Sequence, residues 1–358
     1  MKTVKNFFMM ALDMQLFADV TNTTGSNSTG NNLSAEMKTF YDKILLRVAG
    51  PKLVHDQFGQ KRDIPQRNGK TIEFRKFNQL PKALTALTEG VTPDGGALDA
   101  TSLTATVAQY GYFLRISDVL DLTAIDNVIV EATQLLGSQA GVTMDTVVRN
   151  QLVAGNNVLF CPTVSNGTET AVTQRKDMNT TSQLTVKMIQ KAATLLKNNN
   201  VPDFDGCYVC IIHPSVAFDL RRDPEWVNAH QYAQPENLFT GEIGKIAGVR
   251  FVETTEAKVW NDSDCPVKTA AANGNPAVYY SVFATLVLGK NAYGVTEVTG
   301  GGLQTIVKAK GSGGTADPLD QRSTVGWKGI RTAKILLEPN MVRIESVSAE
   351  WSGTVDAN

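Results

Sequence analysis

The chain has 358 residues, with 34 basic against 35 acidic side chains, a net charge of -1 and a 42% hydrophobic share. That length exceeds what one core usually sustains, so two or more lobes are expected, and the near-zero charge excludes a binder that works mainly by neutralising phosphates. No apolar run approaches the ~20 residues needed to span a bilayer, and four scattered cysteines exclude a disulfide framework.

At the N-terminus, Lys2 and Lys5 precede Phe7-Phe8-Met9-Met10-Ala11-Leu12 and mimic a secretory start, but Asp13 and Gln15 interrupt the apolar run. The segment is therefore read as an N-terminal arm, and Thr21 to Asn32 as a flexible linker by composition. Ser34 caps an expected amphipathic helix with Met37, Phe40, Tyr41, Ile44, Leu45 and Val48 on one face, stopped at Gly50-Pro51.

From Gly69 to Asp118 the chain reads as two strands joined by more than twenty polar, Gly- and Pro-marked residues with no core of their own. The first strand, Thr71 to Arg75, alternates polar and apolar residues. The return strand, Leu103 to Ser117, changes its apolar phase from Leu103, Ala105 and Val107 to Tyr110, Tyr112, Leu114 and Ile116, so a bulge is expected near Gly111. A two-stranded ribbon is marginal in water and needs cover from its own domain or from a neighbour.

A long helix is expected from Asp126 to Ala154, about 43 Å at 1.5 Å per residue. Val128, Ala132, Leu135, Leu136, Ala140, Met144, Val147, Val148 and Leu152 form its inner face. Gly137 and Gly141 inside it each cost on the order of 1 kcal/mol relative to Ala, which suggests close approach of another backbone. Further on, a helix at Leu184 to Lys197 and a buried strand at Cys207 to Ile212 point to an α/β layer. Ser215 is the expected cap of a short helix through Phe218 and Leu220. Strands are expected at Arg250 to Glu253, Tyr279 to Leu288, Ser323 to Lys328 and Met341 to Glu345.

Reactive constellations are scarce. Cys207 and Cys210 have C-x-x-C spacing but lie in a strand, where residues three apart point to opposite faces, and no second pair completes a zinc site. His55, His213 and His230 have no evident partner, and His213-Pro214 reads as a turn that positions the next helix. Asp219, Arg221, Arg222 and Asp223 read as a solvated or interface cluster. Phosphate-loop, dinucleotide and nucleophile-elbow patterns are all missing. No catalytic residue, cofactor or metal is expected.

Several segments together resemble one family. They are Asn32 to Tyr41, Leu53 to Gln60, Asn68 to Phe77, Leu87 to Pro93, His213-Pro214 with Asp219-Leu220-Arg221, Gly241 to Gly244, and Pro318 to Lys328. In ordered succession they resemble the major capsid proteins of tailed bacteriophages, in the group similar to the phage N-four coat protein. The resemblance fades at Met1 to Asn31, at Cys161 to Thr181 and near Gly311.

The resemblance implies an α+β fold of the Hong Kong 97 type. It divides the chain into a flexible N-terminal arm at 1–32, a helix and connector at 33–68 and an extended β-hairpin loop at 69–118. A peripheral domain with a spine helix follows at 119–155, then an axial domain at 156–317, and return strands with the C-terminal tail at 318–358. It also implies a shell of hexamers and pentamers enclosing double-stranded DNA without specific binding, with portal, scaffold and decoration proteins as partners and no membrane. Particles would assemble in the bacterial cytoplasm and end as virions. Inter-subunit contacts are expected at Arg75, Lys76, Phe77 and Glu89 of the loop, close packing at Gly137 and Gly141, and a scaffold or neighbour contact at Phe7, Phe8, Leu16 and Phe17. The competing readings are a nanocompartment shell of the same fold, a secreted β-rich adhesin cleaved near Ala18, and an enzyme built on the α/β middle.

Overall fold

The computed structural model describes residues 54–358 apart from 78–79, 81, 88, 93–94, 125–127, 234–243, 270–276, 309, 314–316 and 354. The expected helix at Met37 to Val48, the segment with Phe7, Phe8, Leu16 and Phe17, and Gly241 lie outside the described residues, as does the side chain of His230.

In chain order, β1 (Gln60–Ile64) precedes β2 (Thr71–Phe77), and the connection leads to β3 (Ala100–Thr106) and β4 (Ala108–Ser117). The expected single return strand is thus two. Its break falls at Val107, whose N–H donates to the Lys70 carbonyl at 3.0 Å. The phase change itself is real, since Ala105 and Val107 are buried up to the break and Ile116 beyond it, although Tyr112 faces solvent.

Ser117 caps α1 (Asp118–Thr123) by accepting the Leu120 N–H at 3.3 Å. Helix α2 (Val128–Leu152) has 25 residues, about 38 Å at 1.5 Å each. Ala132, Leu136, Ala140, Met144, Val148 and Leu152 line its buried stripe. Leu135 lies off that stripe, 48% exposed, and corrects the expected inner face.

Strand β5 (Val158–Phe160) is followed by a small hairpin, β6 (Thr163–Ser165) and β7 (Thr168–Thr170). Asn166 and Gly167 at its tip both have positive φ, 49° and 76°, the conformation that a two-residue turn of matching twist demands. Next come α3 (Val186–Asn198), β8 (Tyr208–Ile212), α4 (Pro214–Arg221) and α5 (Pro224–Ala233). His213, not Ser215, caps α4: its Nδ1 accepts the Ser215 N–H at 3.1 Å, with Pro214 at the first helical position. Burial lowers the His213 pKa to about 4, which keeps the ring neutral and able to accept.

The remaining strands are β9 (Lys245–Ile246), β10 (Val249–Glu253), β11 (Val259–Trp260), β12 (Val267–Thr269), β13 (Val278–Tyr279), β14 (Val282–Leu288), β15 (Tyr293–Val298), β16 (Gln304–Lys308), β17 (Arg322–Ile335) and β18 (Met341–Val347). Strand β17 runs well past the expected end at Lys328.

The chain forms two compact units. One comprises, among the described residues, Gly111–Ala140 and Leu303–Lys328. In it, β16 and β4 both pair with β17, the former from Gln304↔Lys328 to Lys308↔Thr324. A Cβ on Gly111 would sit 2.8 Å from the Trp327 carbonyl oxygen, and one on Gly326 would sit 2.7 Å from Phe113 Cβ. The two glycines therefore permit the close strand contact. Trp327 Nε1 donates to Gln139 Oε1 at 3.2 Å.

The other unit, with residues 54–110, Gly141–Gly302 and Gly329–Asn358, holds a seven-stranded mixed sheet. Its order is β5-β18-β14-β8-β10-β9, with β11 beside β14. One face packs on α3 through Ile189, Ala192 and Leu196 against Cys210, Ile212, Phe283 and Ile344. The opposite face packs on Val148 and Leu152 through Val209, Ile211, Leu286 and Leu288. Because both faces are covered, β8 is an unbroken apolar run rather than an alternating one. In the same unit β1 runs parallel to β15, and β15 pairs antiparallel with Thr332 to Ile335 of β17.

Candidate assembly surface

Strands β2 and β3 form a two-stranded ribbon of their own, in register from Thr71↔Thr106 to Phe77↔Ala100. Strict alternation splits it into two unlike faces. Ile72, Phe74, Leu103 and Ala105 occupy one, where Phe74 and Ala105 are buried. Phe74 anchors this face to its own chain: a Cβ on Gly294 would lie 2.7 Å from Phe74 Cζ, and the Arg62 guanidinium stands 5.9 Å from the Phe74 ring centroid. Thr71, Glu73, Arg75 and Phe77 share the other face with Ala100, Ser102, Thr104 and Thr106, and all eight are exposed.

Beyond the ribbon, the described part of the connection exposes Leu80, Leu84, Leu87, Val91 and Leu98, with Leu84 at 86%. Fully burying each such side chain is worth roughly 1.5–3 kcal/mol, and within this chain that gain goes unused. Exposed apolar side chains on a thin ribbon mark a candidate interaction surface.

The sequence-derived contact residues fall on this surface. Arg75 is exposed and reaches Glu73 on its own strand at 3.5 Å, too open a pair to fix its position. Lys76 and Phe77 are exposed at the end of β2, on opposite faces, and Glu89 is exposed beside Gly90, whose φ is 77°. Among the described residues, nothing lies within 4 Å of a Cβ added at Gly137 or Gly141.

Polar side chains elsewhere are spent on structure. The His55 Nδ1 meets Asp145 Oδ2 at 2.7 Å and its backbone N–H donates to Asp145 Oδ1 at 2.8 Å, while Tyr293 donates its hydroxyl to the His55 carbonyl. Arg331 donates to Asp56 at 2.6 Å. The fully buried Glu345 accepts two hydrogen bonds from Arg175, at 2.7 and 2.9 Å, and one from Arg343 at 2.9 Å. Trp260 lies under Arg175, 3.8 Å from guanidinium carbon to ring centroid. Sequence reasoning missed these networks, because their members are 90 and 170 residues apart.

The charge cluster near α4 is likewise structural. Arg221 pairs with Glu253 at 2.5 Å, and Asp223 accepts the Val186 N–H at 2.8 Å, capping α3 from 37 residues away. Burial raises the pKa of Asp219. Cys210 lies in the core with its thiol pKa pushed up by burial, which removes it from redox chemistry. Among the described residues, no group of His, Cys, Asp and Glu could hold a metal ion, and no helix is long and apolar enough to cross a membrane.

Comparison with known proteins points one way. A family model described as phage capsid protein matches residues 114–313. The chain resembles the capsid structure of cyanophage P-SCSP1u at 16% identity and a TM-score of 0.62, over 90% of this chain and 97% of that one. It also resembles the capsid asymmetric unit of cyanophage Pam1, at 15% identity and a TM-score of 0.59 over 93% and 100% of the two chains. For the capsid of Ralstonia phage GP4 the values are 14%, 0.57, 83% and 88%. Curated proteins include no match. The fold is thus of the Hong Kong 97 type.

Proposed function

Since the chain belongs to the phage capsid protein family, we propose that it is the major capsid protein of a tailed phage, self-assembling into the hexamers and pentamers of an icosahedral or prolate head that encloses double-stranded DNA. In this reading the hairpin at Gly69–Asp118 is the extended loop, α2 the spine helix, the seven-stranded sheet the centre of the axial domain, and β17 with β18 the return to the peripheral domain. One observation carries the reading: a ribbon anchored at Phe74 whose outer face, with the described residues of its connection, is exposed, apolar side chains included.

Such an arm suits a closed shell. Each subunit makes a heterologous contact with the next, and backbone pairing with side-chain pockets tolerates the small angular changes between hexamer and pentamer. Arg75, Lys76, Phe77 and Glu89 supply contacts across the subunit boundary, and Gly137 and Gly141 admit a neighbouring backbone. The N-terminal segment with Phe7, Phe8, Leu16 and Phe17 contacts a scaffold protein or an adjacent subunit. A portal protein and a decoration protein complete the head. The net charge of -1 suits a container whose DNA must move, since a strongly basic lining would hold it. Assembly takes place in the bacterial cytoplasm, and the chain acts as a wall rather than a catalyst.

Size-exclusion chromatography of the purified chain with negative-stain imaging tests this. Closed particles or capsomer rings are expected. A monomer that persists at high concentration contradicts it.

A further inference from the structure

Among the described residues, strand β5 is the end strand of the seven-stranded sheet and pairs with β18 alone. The pairing is parallel: the Asn157 carbonyl accepts the Arg343 N–H at 2.9 Å and the Cys161 N–H donates to the Glu345 carbonyl at 3.0 Å. In a parallel ladder alternate residues face the partner, so Val158 and Phe160 turn their N–H and C=O groups to the open edge. Beside that edge lies a recess of about 710 Å³, with α3 on its other side, lined by Leu159, Phe160, Val172 and Met188 together with Lys187 and Lys191. Lys187 pairs with Glu169 at 2.6 Å. Lys191 has no ion-pair partner among the described residues. An unpaired edge, an apolar floor and a free cation select an extended, half-apolar peptide with carboxylates.

The sequence contains such a peptide. Residues 12–20, Leu-Asp-Met-Gln-Leu-Phe-Ala-Asp-Val, place Leu12, Met14, Leu16, Ala18 and Val20 at alternate positions. Asp13, Gln15, Phe17 and Asp19 fall on the other phase, so a strand here has one wholly apolar face and one face that carries both aspartates beside Phe17. We propose that the run Leu12–Val20 of a neighbouring subunit docks as an added strand on the open edge of β5, with an aspartate meeting Lys191. This rests on the shell reading above and gives its N-terminal contact a receiving surface. A shell repeats both parts on adjacent copies, so the effective concentration of segment at groove is high.

Hydrogen exchange on assembled particles tests it. In the full chain the Val158 and Phe160 amides should exchange about tenfold more slowly than in a chain lacking residues 1–20. Lys191→Glu in the full chain should abolish that protection, and the added pair Asp13→Lys and Asp19→Lys should restore it. These full-length variants serve if the truncated chain does not assemble. Mixed particles identify the donor. Co-assembling the truncated chain with an isotopically distinguished full-length Lys191→Glu chain should protect β5 of the truncated copy, whose groove is intact, and protection absent there overturns docking between subunits. Particles whose β5 amides exchange at one rate with and without residues 1–20 overturn the inference while leaving the shell reading standing. Loss of particles with β5 still protected by the segment does the reverse.

Discussion

The seven-stranded sheet and the β2–β3 ribbon are built from similar strand residues but solve opposite problems. Every residue of β8 is buried, both sheet faces are covered by helices of the same chain, and even a buried carboxylate, Glu345, is held by two arginines. The ribbon is anchored at Phe74 and leaves its outer face to solvent. A region whose contacts close within one chain reports on folding. One whose contacts stay open reports on partners.

That contrast makes the largest effect on the subunit itself fall in the sheet. Glu345→Ala leaves the partly buried Arg175 and Arg343 without their shared carboxylate and should destabilise by about 3 kcal/mol, read as a lower urea midpoint. Charge reversal at Arg75 and Lys76 should leave that midpoint within about 0.5 kcal/mol yet lower particle yield. Equal stability losses in the two variants would erase the distinction.

His213 sharpens the comparison through pH. Its pKa falls from 6.5 unfolded to about 4 folded, so between these values the unfolded state binds more protons. The stability it contributes is complete above pH 6.5 and is lost as pH falls toward 4, on the order of a few kcal/mol in all. His213→Asn keeps a capping acceptor and should flatten that part of the stability profile. An unchanged slope would place the titrating group elsewhere.

The smallest expected effect concerns the helix. Gly137→Ala should stabilise the isolated subunit by about 0.5–1 kcal/mol, since nothing among the described residues stands within 4 Å of the new methyl, while reducing assembly if another backbone comes close. A gain in stability with full particle yield would remove that glycine from the interface.

Legibility in the sequence followed the range of the forces involved. The long helix, the buried β8 run and the hairpin were readable because periodicity and turn residues act locally. Strand β1, Gln60–Ile64, carries mostly polar, exposed residues and shows no pattern, since its place is set by parallel pairing with β15. The cap at His213 was missed because Ser215 is the commoner capping type, whereas Pro214 fixes the first helical position and moves the cap one residue before it. The break at Val107 escaped because a change of apolar phase marks that a strand turns over, not where. On the surface, coreless composition revealed the arm, but its anchor on Gly294 could not be read, being a contact 220 residues away.

The most direct test is a cryo-EM reconstruction of particles assembled from this chain, traced through Thr71–Phe77 and Ala100–Thr106. The account predicts the ribbon's outer face and the leucines of its connection seated on an adjacent copy. A ribbon folded back over its own subunit, with the neighbour making no contact to it, would contradict it.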